Sequence, residues 1–154
     1  MEERKDVRGL IKALQSSNPE VRAKAAEALH DWIVFREGAK AVVEAGAVPR
    51  LVRALSDADA DVRKYAAEAL GGIARGGEAR AVVAAGAVPR LVHALSDANE
   101  WVRGYAALAL GEIASGGEAK AVVAAGAVPR LVHALSDADA EVRGSAAAAL
   151  RSIA

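Results

Sequence analysis

The chain holds five aromatic residues, and three of them, Tyr65, Trp101 and Tyr105, fall on a single row once their segments are wound as helices. Trp and Tyr are the types most enriched at binding hot spots, because each presents a large rigid face with a polar tip. The same row carries Asp61, Glu68 and Glu112, with Leu108 among them. Aromatic faces beside carboxylates attract cations through ion pairs and cation–π contact. A protein or peptide ligand of basic character is the partner this row would suit.

Catalytic and metal chemistry have less to stand on. His93 and His133 sit one repeat apart, at a position that holds Arg53 and Lys12 in the other units, so it reads as solvated surface. His30 and Asp31 are adjacent rather than an i, i+4 ligand pair, and also read as surface. The pairs Gly76-Gly77 and Gly116-Gly117 precede short helices whose N-termini could hold an anion. No Walker-type Lys-Ser/Thr follows them, so they read as linkers. Ser56, Ser96 and Ser136 each stand beside an Asp in a turn, which is capping chemistry. No cofactor, metal or catalytic set is expected, and the chain is not read as an enzyme.

The elements that place these residues come from an internal repeat. AVVAAGAVPRLVHALSDA at Ala81–Ala98 returns letter for letter at Ala121–Ala138, and a near copy starts at Ala41, each 40 residues from the next. A diverged partial copy opens the chain. Gly46, Gly86 and Gly126 stand where a short first helix should end, and Pro49, Pro89 and Pro129 fall in the first turn of the next. Asn18, Asp59, Asn99 and Asp139 share one position at the start of a third helix, and all are preferred N-cap types. The third helix should stop near the glycine pairs. The chain therefore reads as two helices followed by three triplets, about eleven in all. It forms one domain over 1–154, made of a partial unit 1–36 and units 37–76, 77–116 and 117–154.

The helical period sorts the third helix into faces. With Val21, Val62, Val102 and Val142 as position zero and about 100° per residue, positions 0, +4, +7, +8 and +11 gather as a core stripe. In the third unit these are Val102, Ala106, Ala109, Leu110 and Ile113. Positions −1, +3, +6 and +10 gather elsewhere and change freely from unit to unit. That second row holds the aromatics and carboxylates named above. Units stack about 10 Å apart, which lets Tyr65 join Trp101 and Tyr105 in one patch. Arg22, Arg63, Arg103 and Arg143 recur beside the core Val and are expected to bond neighbouring units.

Composition agrees with this. Apolar residues make up 53% but aromatics only 3%, so the core must be Ala, Val and Leu. Lys plus Arg equals Asp plus Glu at 20 each, which removes the usual electrostatic reason to bind nucleic acid or an anionic membrane. There is no Cys. No signal-like run follows the N-terminus and no stretch nears the roughly 20 apolar residues of a span. The expectation is a soluble protein, cytoplasmic if natural, with its location otherwise open.

A short, a medium and a longer helix in a unit of 40 residues, with GAVPRLV…VR..AA.AL..IA in register, resembles the armadillo repeat family over nearly the whole chain. The Val-Arg-x-x-Ala-Ala-x-Ala-Leu-Gly run at Val62–Gly71 and Val102–Gly111 is similar to HEAT-like third helices. The near-identity of the units resembles a consensus-designed or recently duplicated array. The resemblance implies an all-α, right-handed alpha-alpha superhelix, an armadillo-type solenoid whose third helices line a concave groove for extended peptides. Armadillo grooves hold the peptide backbone with Asn at +10 and Trp at +6. Here +10 is Asp31, Gly72, Glu112 and Ser152, and +6 is Glu27, Glu68, Leu108 and Ala148, so neither ladder is present.

A rival reading starts from the ends. The last helix keeps Val142, Ala146, Leu150 and Ile153 with little polar capping. Those four residues would then mediate self-association, giving a homodimer or larger assembly, whether or not a natural ligand exists. At the other end, Trp32 and Phe35 are expected to seal the stack.

Overall fold

In the computed structural model, which describes residues 2–35 and 37–154, the chain is helical from end to end. Helices α1 (Glu2–Ala13) and α2 (Pro19–Phe35) lead. Three triplets follow: α3 (Ala39–Glu44), α4 (Ala47–Ala54) and α5 (Ala60–Ile73); α6 (Ala79–Ala84), α7 (Ala87–Ala94) and α8 (Glu100–Ile113); α9 (Ala119–Ala124), α10 (Ala127–Ala134) and α11 (Ala140–Ile153). No strand occurs among the described residues. The glycine pairs do not end the third helices in open loops as their sequence suggests. Wide π turns over Ala74–Glu78 and Ala114–Glu118 lead α5 into α6 and α8 into α9, and counted as continuous rods the eleven segments are nine. Each turn relies on one left-handed glycine, Gly77 at φ +95° and Gly117 at φ +97°.

Local chemistry fixes where the third helices start. Asp59, Asn99 and Asp139 hold extended backbone, and each side-chain oxygen accepts from the N–H groups two and three residues on. Two of the four orphan donors of each helix are thereby satisfied. Asn18 does the same for Glu20 N–H at 2.9 Å.

The core is built from small residues. Val102, Ala106, Ala109, Leu110 and Ile113 are all 1% exposed or less, as are Val62, Ala66, Ala69, Leu70 and Ile73. Between the third helices the backbones nearly touch. A Cβ on Gly111 would lie 3.0 Å from the Cα of Ala149, and one on Gly71 would lie 3.3 Å from the Cα of Ala109. Glycine at this position is thus a spacing device between units, which the alignment with core positions alone does not reveal.

Three of the four recurring arginines bond neighbouring units, while Arg143 donates only to carbonyls of its own. Arg63 Nε and Nη2 donate to Asp97 Oδ2 and Oδ1 at 2.8 and 3.1 Å, while Nη1 donates to Asp57 O at 2.8 Å. Arg22 with Asp57 and Arg103 with Asp137 repeat the fork. The aspartates are therefore more than turn formers, since each bridges two units while capping its own loop. Arg103's hydrogen bonds hold the Asp137 carboxyl below its ordinary value. At Asp57 burial pushes upward, but hydrogen bonds from Arg22 and Asp59 N–H, with the nearby positive charges, bring the net shift below it.

The ends differ from expectation. Val142 and Ala146 are fully buried, because α11 turns them against α8. They therefore cannot form an exposed surface. Leu150 and Ile153 are half-buried, and the exposed large apolar residues of the last unit are Val123, Val132 and Leu135, at 48%, 52% and 40%. Their counterparts Val92 and Leu95 are 8% and 6% exposed under the following unit. At the other end Val21 is 40% exposed, unlike Val62 and Val102, since no earlier unit packs on it. Phe35 is 79% exposed and seals nothing. Trp32 packs on the core instead, over the turn at Gly38.

Candidate functional site: a groove across the third helices

Three clefts open along the free row of the third helices. The largest, about 700 Å³, lies among α2, α5 and α8, with Glu68, Tyr105, Leu108 and Glu112 on its wall. Gly71, Gly72 and Gly76 also line it, where their missing side chains let the neighbouring helices close in: a Cβ on Gly72 would lie 3.2 Å from Ile33 Cγ2. A second cleft of about 170 Å³ opens between α8 and α11 beside Trp101, Tyr105 and Leu108. A third, about 350 Å³, holds Asp61 and Tyr65 with Lys24 and Glu27. All seven residues expected on the row thus line the groove, but they are shared among clefts.

Trp101 and Tyr105 stack directly, with ring centroids 6.3 Å apart and planes 26° from parallel. Tyr65 joins them through a residue outside the row. Lys64 Nζ lies 4.5 Å from the Tyr65 ring centroid and 5.7 Å from that of Trp101, and 3.9 Å from Asp61 Oδ1. The chain thereby supplies a cation of its own to part of the aromatic patch.

The carboxylates are also engaged. Arg75 Nη2 donates to Glu112 Oε1 at 3.1 Å across the large cleft. His30, expected as plain surface, is only 21% exposed and places Nδ1 3.6 Å from Glu68 Oε1. Burial first, then the charge of Glu68 and a hydrogen bond to it, raise the Tyr105 hydroxyl to about 12. A hydrogen bond to Glu27, then burial, raise Tyr65 to about 12. Both phenols therefore remain protonated donors facing carboxylates. Among the described residues no group of three or more His, Asp or Glu is placed to hold a metal ion. His93 and His133 are exposed and line none of the three clefts.

Lys64 and Arg75 contribute to the groove without having stood out in the sequence, while Glu27 and Glu141 fell on the row without being singled out and His30 read as surface. Of Lys64 and Arg75, Lys64 left a trace. The corresponding residues in the other units are Ala23, Gly104 and Gly144, so its position varies as freely as the row does.

A stack of small-residue helices, joined by Arg–Asp forks and grooved along its third helices, is a helical-repeat solenoid. The profile of HEAT repeats matches residues 7–85 and 48–151, and the chain belongs to that family. Its fold is armadillo-like. It is similar to an engineered protein of known structure, with a TM-score of 0.92 and 41% identity over 96% of this chain and 62% of that one. A designed armadillo repeat protein in complex with the peptide (KR)4 superposes with a TM-score of 0.88 at 34% identity, over 96% of this chain and 64% of that one. A computationally designed armadillo repeat protein for modular peptide recognition gives 0.87 and 34%, with the same coverage. This chain spans less than two thirds of the length of each of these structures. No curated protein matches it. No described helix is long and apolar enough to cross a membrane.

Proposed function

We propose that the chain is a non-catalytic binding scaffold whose groove takes an extended basic segment of a protein or peptide. The observation that carries this reading is the large cleft, which Glu68 and Glu112 line together with Tyr105 and Leu108. An aliphatic stem can lie on Leu108 and Tyr105 while its charged head meets a carboxylate. The similar designed protein bound to (KR)4 supports a cationic peptide as the occupant. The carboxylates already have Arg75 and His30 nearby, so a ligand gains only by displacing or sharing those partners. Without the Asn ladder, the backbone of the ligand is gripped less than its side chains.

The test is calorimetric titration of the intact chain with an alternating Lys-Ala octapeptide and with its Glu-Ala counterpart. The basic peptide should bind and the acidic one should not. Glu68→Gln with Glu112→Gln should weaken binding by about tenfold, the scale of one lost charge-assisted contact. Equal binding of both peptides, or of parent and double variant, refutes the assignment.

The exposed Val123, Val132 and Leu135 favour a second reading, self-association through that face. It predicts a dimer by light scattering that Val132→Lys with Leu135→Lys makes monomeric, and a strict monomer at high concentration would sink it.

A further inference from the structure

We propose that the cleft beside Gly104 is a seat for a lysine-type primary ammonium brought by the ligand. This deepens the basic-segment reading and rests on it. The argument is one of register. Around Lys64 stand Asp61 and Tyr65 of its own helix and Trp101 of the next, one carboxylate and two aromatics. The lysine side chain is held there with only 21% of its surface exposed. One unit further along, the corresponding residues are Trp101, Tyr105 and Glu141. The set is again two aromatics and one carboxylate, with the carboxylate now on the following helix.

What differs is the residue at the ammonium's own position. Where the first cage has Lys64, the second has Gly104, and the cleft of about 170 Å³ opens there. Its lining includes Glu100, Asp139 and Glu141 but no Lys or Arg. Asp139 caps α11 through Oδ1, and Glu100 and Glu141 are the other carboxylates that can face a cation. The stacked Trp101 and Tyr105 form the aromatic wall. The first cage shows what such a set holds, and the second offers the same chemistry with no side chain in the place. Cations over aromatic faces gain most where water is partly excluded, as in a narrow cleft.

The substitutions that test this are mild. A Cβ on Gly104 would meet only Val142 Cγ2, at 3.9 Å, and one on Gly144 would meet nothing within 4 Å. Gly104→Lys should fill the seat from within and weaken the Lys-Ala octapeptide by about tenfold. Gly144→Lys adds the same charge one unit along without an aromatic cage, and should change affinity by less than about twofold, the scale of a screened surface charge. Lys64→Ala vacates the first cage and should tighten binding. If Gly104→Lys binds the peptide as the parent does, while Glu68→Gln with Glu112→Gln still weakens it, the seat is wrong and the groove stands. Equal weakening by Gly104→Lys and Gly144→Lys also overturns the seat, leaving only net charge. A parent that binds no Lys-Ala peptide overturns both readings.

Discussion

The fork between units can be weighed inside one molecule, because the chain holds the same arginine with and without its aspartate. Arg63 makes two bonds to Asp97 across the unit boundary and donates through Nη1 to the carbonyls of Asp57 and Ala58. Arg143 makes only the carbonyl bonds, to Asp137 and Ala138, at the same 2.8 and 3.2 Å. Replacing each by alanine removes the shared carbonyl bonds twice, so the difference reports the fork together with the closer packing of the Arg63 stem. Arg63 and Asp97 are 19% and 13% exposed, between the surface and the interior. Exposed pairs contribute up to about 1 kcal/mol, whereas breaking a buried one costs about 3–5. Asp97 is not orphaned in the variant, since it still accepts Asn99 N–H at 2.9 Å. The fork should therefore be worth about 2 kcal/mol.

At this chain length that corresponds to a melting temperature about 4–8 °C lower for Arg63→Ala than for Arg143→Ala. Far-ultraviolet circular dichroism on heating reads it directly. Because repeat stability is a sum of unit and nearest-neighbour interface terms, the Arg63→Ala transition should also broaden as units uncouple. Added salt should narrow the gap only slightly, since partly buried pairs are poorly screened. If the two variants melt together, the fork adds nothing and the units are held by apolar packing alone.

Glycine offers a second internal comparison. Gly111→Ala should destabilise by about 1–2 kcal/mol, because overpacking strain of up to about 3 exceeds the helix-propensity gain of about 1. Gly144→Ala, with open space around it, should stabilise by about 0.5–1 kcal/mol, and urea midpoints decide whether the two signs differ. Acid supplies the other test. Asp137 and Asp57 have folded values below their ordinary 3.8. Their contribution is therefore fully present above that pH and is lost as pH falls through the lowered folded values. Urea midpoints measured from about pH 6 down to about pH 2.5 should fall less steeply in Asp137→Asn than in the parent, and parallel curves would refute the linkage.

Repetition made the fold legible, because it marks which positions packing dictates. Val102, Leu110 and Ile113 could be assigned from their return in each unit, and so could the caps at Asp59, Asn99 and Asp139. Two structural features escaped for definite reasons. The Asp97 fork lies 34 residues from Arg63, and no local period links the two. Gly111 looks like any helical glycine until α11 is packed against it at backbone distance. The ends misled because a repeat teaches the interior environment. Val21 has the interior sequence without an earlier unit beside it, while Val142 keeps its neighbour and is buried.

The groove was legible only as far as a helical wheel reaches. The wheel places the Cβ, and it correctly brought Tyr65, Trp101 and Tyr105 to one face. It set the position of Lys64 about 40° outside the row. A four-carbon stem spans that gap easily, so the ammonium reaches the rings although its Cα does not belong to their face. The same reach makes Gly104 informative. At a face-centre position a glycine serves close packing, as Gly72 does against Ile33. At the position from which a long side chain would bend inward, it removes the internal competitor for a cation. Ligand preference along this groove should therefore follow the unit-by-unit choice between Lys64 and Gly104 at least as closely as it follows the aromatics themselves.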